Sequence, residues 1–187
     1  MKIIGVVPVR MAASRFPGKP LYPILGRPML EHVILRAQMY KGWTRLVLAT
    51  CDHEIEQFAA DKGYPYIMTG GHHTRALDRV AEAITNLDEY VSEDDIVVCV
   101  QGDEPMMRPD MIDTVLAPLM ADPSKAGTIL AMHITDESIW RNPDTVKIIH
   151  NAVGEILYTS RAPVPYCKGD FSEDLLARRI YGIFAFR

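Results

Sequence analysis

The sequence predicts an α/β fold in which a mostly parallel sheet is wrapped on both faces by helices. Three observations carry this. Short, β-branched apolar runs alternate with segments of helical spacing along the chain. The runs Ile3–Val9 and Ile96–Val100 are apolar throughout rather than alternating, which is the mark of strands buried on both faces. The length of 187 residues fits one domain at about 150 residues per domain, so residues 1–187 are expected to form a single unit. Hydrophobic residues at 48% and charged residues at 24% give an ordinary globular balance, not a disordered one.

Taken in order, Ile3–Val9 reads as the first strand and Arg10–Pro23 as a basic loop punctuated by Gly and Pro. Met29, Leu30, Val33, Ile34 and Ala37 recur at helical spacing, so Pro28–Tyr40 is a helix with Pro28 suited to its first turn. Arg45–Thr50 is a second strand, Glu54–Lys62 a helix closed by Gly63, and Tyr64–Met68 a third strand. A helix over about Ala76–Leu87 puts Leu77, Val80, Ala81 and Ile84 on one face. Ile96–Val100 is the most strand-like run and is expected at the centre of the sheet. Pro109–Met120 is helical and Thr128–His133 a strand. Val146–His150 and Ile156–Tyr158 are two strands around the turn residues Asn151 and Gly154. Leu175–Arg179 is too short to assign, and Ile180–Phe186 reads as a strand. No repeat, low-complexity tract or internal linker interrupts this pattern.

Charge and composition exclude several classes. Twenty basic against twenty-four acidic residues leave a net charge of −4, with no clustered basic excess for nucleic acid. No apolar run approaches the roughly 20 residues needed to span a bilayer, so no membrane partner is expected. Nothing at the N-terminus has the composition of a signal peptide. Cys51, Cys99 and Cys167 are odd in number and far apart, which suits free thiols in a reducing, cytoplasmic setting.

In parallel sheets ligands sit at the carboxyl ends of strands, which selects two loops. The first carries Arg10, Ser14, Arg15, Lys19 and Gly18 just after the first strand. Polyphosphate needs fixed positive charge, Arg binds it bidentately and Lys as a point charge, and the prolines stiffen the loop. It is neither a Walker A loop nor a G-x-G-x-x-G turn. Its competing reading is a solvated basic loop. The second is Gln101-Gly102-Asp103-Glu104-Pro105, directly after Val100. A carboxylate there holds Mg²⁺, or else Asp103 caps the helix near Pro109 or sits in a turn, and on the residues alone both readings stand. His72 and His73, adjacent in sequence, are expected to point different ways with nothing nearby to complete a zinc set. No Gly-x-Ser-x-Gly elbow is present. The ten Met residues read as core filler, and Asp78-Arg79 as a surface pair.

Together the segments VPVRMAASRFPGKPL, GRPMLEHV, DRVAEA, VQGDEPM and NPDTVKIIHNAVGEILYTSRAPVPY resemble the cytidylyltransferases that activate acidic sugars, most closely those acting on 3-deoxy-manno-octulosonate (KDO). The resemblance runs over nearly the whole chain. It implies a Rossmann-like nucleotide-diphospho-sugar transferase fold and an enzyme that joins CTP and an acidic sugar into CMP-sugar and pyrophosphate, with Mg²⁺. By motif, Arg10, Ser14, Arg15 and Lys19 contact the triphosphate, Asp103 ligates the metal, Gln101 positions nucleotide or sugar, and Arg79 lies beside the nucleotide. Lys147 and Arg161 fall in matched segments without an assigned role. The implied chemistry is in-line attack of an acceptor oxygen on the α-phosphorus, with Arg10, Arg15 and Lys19 stabilising the departing pyrophosphate.

The chain departs from the family at three places. The family's Ser-Gly-Thr is replaced by the longer Thr74-Arg75-Ala76-Leu77, and its Arg-His by Arg179-Ile180 before a strand reading Gly182-Ile183-Phe184-Ala185-Phe186-Arg187. Both regions face the sugar in the family, so the expected acceptor shifts from KDO toward a more anionic acid; a sialic-acid relative, an amino-KDO and a phosphonate are the alternatives. Outside this class stands a non-catalytic nucleotide- or partner-binding module. Third, the family continues past the position of Arg187 with a second metal-binding Asp and most of its dimer contacts. A C-terminally incomplete, weakly catalytic chain is therefore expected, dimeric only at full length.

Overall fold

The computed structural model describes residues 1–12 and 16–187. Contacts divide the chain into two compact units, Met1–Thr128 with Gly182–Arg187, and Ile129–Tyr181.

The first unit is built on strands β1 (Ile3–Pro8), β4 (Arg45–Thr50), β5 (Tyr66–Met68) and β6 (Ile96–Val100). A two-residue hairpin, β2 (Pro23–Ile24) and β3 (Arg27–Pro28), follows β1, and helices α1 (Met29–Ala37), α2 (His53–Lys62), α3 (Ala76–Thr85) and α4 (Pro109–Ala121) complete it. The sheet order is β5-β4-β1-β6, all parallel, continued by the last residues of β10 (Arg178–Phe186) running antiparallel against β6. Thus Ile96–Val100 lies inside the sheet, as its unbroken apolar run predicts, and Val98, Cys99 and Val100 are wholly buried.

Alternation along the strands assigns their two faces. Ile4, Val6, Val47, Ala49 and Cys99 pack against Val80, Ala83 and Leu87 around α3. Val7 and Leu48 adjoin Ile34 of α1 on the other side. The α1 positions singled out by periodicity (Met29, Leu30, Val33, Ile34 and Ala37) are all buried. Met29, Leu30, Val33 and Ile34 each contribute roughly 1.5–3 kcal/mol on burial, which is why tertiary packing secures so short a helix. Pro28 does not enter the helix; it is the extended residue before it and the last of the hairpin. Gly63 closes α2 with φ 71°, a left-handed cap that glycine adopts without strain.

The second unit holds the hairpin β8 (Lys147–His150) and β9 (Ile156–Ser160), the short helix α5 (Glu137–Arg141), and parts of β7 (Gly127–His133) and β10. Its small core joins Ile134, Trp140 and Ala177, with Trp140 donating through Nε1 to the Val164 carbonyl at 3.2 Å. No helix among the described residues is long and apolar enough to cross a membrane.

Candidate active site

The carboxyl ends of β1 and β6 are adjacent because the two strands pair in register, Val6 opposite Cys99. Past this point Gly102 donates its N–H to the Pro8 carbonyl at 3.3 Å. A Cβ at residue 102 would lie 2.9 Å from that oxygen and 3.1 Å from the Val9 Cβ. Only a residue without a side chain lets the two loops meet this closely.

The basic loop is tied down from both sides. Met11 donates its N–H to Asp52 Oδ2 at 2.8 Å, and Gly18 donates its N–H to the Met11 carbonyl at 3.1 Å. Gly18, at φ 75°, then turns the chain into a 3₁₀ turn over Lys19–Leu21. That turn carries the Lys19 side chain to Asp103, Nζ to Oδ2, at 2.9 Å across 84 residues of sequence. Two residues selected independently, one for phosphate and one for metal, therefore meet. Asp103 is not a helix cap; Arg108 occupies the position before α4.

Around this pair opens a cleft of about 550 Å³, lined by Arg10, Lys19, Gln101, Asp103 and Arg79, among others. Ser14 and Arg15 lie outside the described residues. Among the described residues the lining carries four cations, Arg10, Lys19, Arg75 and Arg79, against one carboxylate, Asp103. Such a balance fits a polyanion. Arg79 is not the surface residue that its sequence neighbourhood suggests: it is buried, donating to Thr69 Oγ1 and, at 3.3 Å, to Cys51 Sγ. Its guanidinium is consequently a fixed charge in the cleft wall. Gln101 is held by its backbone, N–H to the Gly182 carbonyl at 2.9 Å, and Glu104 accepts the Gly182 N–H at 3.0 Å.

The third side of the cleft is the loop after β5, which the resemblance placed toward the sugar at Thr74–Leu77; what sequence reasoning missed there is His73. His73, Thr74 and Arg75 line it. His72 and His73 do not point apart: their ring centroids are 4.2 Å from each other, and His73 Nε2 is hydrogen-bonded to Glu82 on α3. The Gly70 N–H also reaches both Glu82 oxygens at 3.0 Å. The His73 ring and the Gly70 amide together hold the Glu82 carboxyl below its ordinary pKa. The helical spacing placed Glu82 on α3, but nothing in its own neighbourhood pointed to the two histidines.

Lys147 has a structural task within the second unit. It is wholly buried and its Nζ donates to the carbonyls of Asn142, Thr145 and Arg161 at 2.7–2.9 Å. Burial, with the Arg161 charge, pushes its pKa down. Arg161 in turn donates to the Pro143 carbonyl at 2.8 Å.

Comparison with known proteins places the chain among its relatives. A family model described as Cytidylyltransferase matches residues 4–187. The 3-deoxy-manno-octulosonate cytidylyltransferase of Nitratidesulfovibrio vulgaris is 43% identical over 185 residues, covering 98% of this chain and 72% of the relative. The 8-amino-3,8-dideoxy-manno-octulosonate cytidylyltransferase of Shewanella piezotolerans is 35% identical over all of this chain and 75% of its own. A solved CMP:2-keto-3-deoxy-manno-octonic acid synthetase, complexed with CTP, superimposes with a TM-score of 0.87 at 35% identity, covering all of this chain and 74% of that one. The basic cleft at the ends of β1 and β6 and these likenesses lead to one conclusion: the chain belongs to the cytidylyltransferase family of nucleotidyltransferase enzymes.

Proposed function

We propose that this enzyme transfers the cytidine monophosphate unit of CTP to a KDO-class acidic sugar, releasing pyrophosphate, with Mg²⁺ held at Asp103. The observation that carries this reading is the 2.9 Å pair of Lys19 and Asp103 in a cleft that Arg10, Arg75 and Arg79 also line. The names of the relatives, all acting on octulosonates, and the CTP complex of the structural neighbour support the substrates.

Asp103 suits a magnesium ion by its chemistry. It offers hard oxygen donors, its side chain is 49% exposed, and its present partner is a flexible lysine. Mg²⁺ takes one or two protein carboxylates and fills its remaining positions with phosphate oxygens and water. Bound there with a triphosphate, Mg²⁺ would supply neutralisation of the charge at the reacting phosphoryl group. The chain's own residues do the rest. Lys19, released from Asp103, turns to the outer phosphates, and Arg10 contacts them from the same loop. The fixed guanidinium of Arg79 and the exposed Arg75 raise the positive potential of the cleft. Gln101 supplies amide donors and acceptors where its backbone is pinned by Gly182. An acceptor oxygen forms a bond to the α-phosphorus, the bond to the bridging oxygen breaks, and pyrophosphate departs toward Arg10 and Lys19. The acceptor proton leaves to solvent. Catalysis is then positioning and charge stabilisation, with no side-chain nucleophile.

Arg75 in the cleft opposes an ammonium group and favours carboxylate-rich acceptors, which sets KDO and more anionic acids above an amino-sugar. The test is pyrophosphate release with CTP, Mg²⁺ and a panel of KDO, its 8-amino analogue, sialic acid and a phosphonate. Turnover of at least one acid sustains the reading. Binding of CTP with no turnover of any would leave a nucleotide-binding module instead.

A further inference from the structure

We infer that His72, His73 and Glu82 form a second cation site, for a zinc-class transition metal rather than for Mg²⁺. They are the one set of three such side chains among the described residues whose ligand atoms all lie within 4.8 Å of one another. Two imidazoles and a carboxylate are a donor set of the zinc type, whereas Mg²⁺ selects oxygen alone. Ligand atoms about 2.1 Å from a tetrahedral ion lie roughly 3.4 Å apart. Small side-chain rotations close the remaining distance, and a fourth position stays open to solvent.

Two further features of the loop support a built site. The carboxylate of Glu82 is oriented before any ion arrives, because the Gly70 N–H donates to both of its oxygens at 3.0 Å. Backbone donors behind a ligating group are the usual device for fixing it. The ring of His72 occupies the space that a side chain at residue 70 would need: a Cβ there would lie 2.5 Å from His72 Nδ1. Glycine at 70 thus allows the ring to stand beside Glu82. The His73–Glu82 hydrogen bond occupies the site when no ion is bound, so a cation competes with that contact and not with bulk packing.

His73, Thr74 and Arg75 also line the cleft, so an ion at this position would hold the loop that carries Arg75. The inference is independent of the proposed reaction, since its test uses metal alone. The 187-residue chain is titrated with Co²⁺ and read by its visible absorption. Intense bands of a four-coordinate ion are expected, displaced by Zn²⁺ and not by millimolar Mg²⁺. His72→Ala, which removes an exposed side chain, should weaken binding by about 100-fold or more, since loss even of a supporting group costs 10–100-fold. Gly70→Ala should weaken it as well by displacing the ring, although no ligand is removed. Asp103→Asn should leave it unchanged. As a second readout, Zn²⁺ should raise the thermal midpoint of the native chain and not that of His72→Ala. Absence of cobalt bands, or bands retained in His72→Ala, would overturn the site and leave a hydrogen-bonded clamp.

Discussion

Replacing Asp103 by Asn separates its proposed catalytic charge from its structural role. The Lys19–Asp103 pair is 2.9 Å long, but the two side chains are 35% and 49% exposed. An exposed pair contributes only about 0.2–1 kcal/mol, because solvent screens it and two flexible side chains lose freedom. For a chain of this length, about 1 kcal/mol corresponds to roughly 2–4 °C in the midpoint, so Asp103→Asn should unfold no more than ~4 °C early. Turnover should collapse by about 10²–10³ or more, the usual effect of removing one preorganised charge-stabilising group. Affinity for CTP without metal should move the other way. Asn no longer repels the triphosphate or occupies Lys19, so binding stays level or tightens by up to about fivefold, the equivalent of ~1 kcal/mol. The assays are pyrophosphate release with Mg²⁺, calorimetric CTP binding in chelator, and thermal unfolding. Normal Mg²⁺-dependent turnover in Asp103→Asn would refute the assignment. A drop in the midpoint well beyond 4 °C with weakened CTP binding would show that the pair serves the fold.

Other perturbations have defined outcomes. Lys19→Ala should weaken CTP by roughly 10- to 100-fold by calorimetry and CMP by less than about threefold, as a charge-assisted bond of ~1.5–3 kcal/mol to an outer phosphate requires. Gly102→Ala forces a methyl group to 2.9 Å from the Pro8 carbonyl, so the two loops must part; kcat should fall by about 100-fold, with the fold retained by circular dichroism. Asp95 is buried and accepts the Lys2 and Ser92 amides, and these bonds hold its pKa below the ordinary value. Its stabilisation is therefore present above the ordinary Asp pKa near 4 and lost as pH falls through the depressed folded value. Asp95→Asn should flatten that acid limb in denaturant titrations and lower stability at neutral pH by about 1–3 kcal/mol, since an amide satisfies one donor where the carboxylate satisfies two. Cys99 is wholly buried and its thiol is pushed up to about 12, so mass spectrometry should find it unalkylated in the native chain at pH 8 and alkylated after denaturation.

Strands β1, β4 and β6 were legible because burial on both faces demands an unbroken β-branched run, a signal carried by each strand alone. Helix α1 was legible for the same reason: its buried stripe repeats within nine residues. What stayed hidden was short or set by partners elsewhere. The hairpin of β2 and β3 turns through Leu25 and Gly26, both at positive φ, and Leu25 is 95% exposed. Asn-Gly or Asp-Gly would have announced such a turn; leucine at its first position does not. Helix α5 spans five residues, too few for a period, and its signal is the Asp136 carboxylate accepting the Ser138 N–H. The strand read at Ile180–Phe186 is present as β10, but two arginines mask its start at Arg178, and its antiparallel direction follows from pairing with β6, which local sequence does not encode.

The same division governs the site. Lys19 and Asp103 could each be chosen because a strand end concentrates ligand chemistry, and each lies in a loop whose residue types are unusual by themselves. That they touch is a property of the register between β1 and β6, and of a glycine at 102 that allows the loops to close. In the loop after β5 the resemblance pointed to Thr74–Leu77, but not to the histidines: two adjacent histidines look unpromising until a helix brings Glu82 to them. Arg79 shows the converse. Beside Asp78 in sequence it looks like half of a surface pair, yet the fold buries it against Thr69 and Cys51, two residues at the ends of neighbouring strands. A buried guanidinium loses hydration and must recover it from fixed acceptors. Among the described residues Thr69 and the Cys51 sulfur accept from it, and the side chain borders the cleft. A guanidinium fixed in that wall favours an anionic occupant, so burial by the fold and positive potential in the cleft are two consequences of one placement.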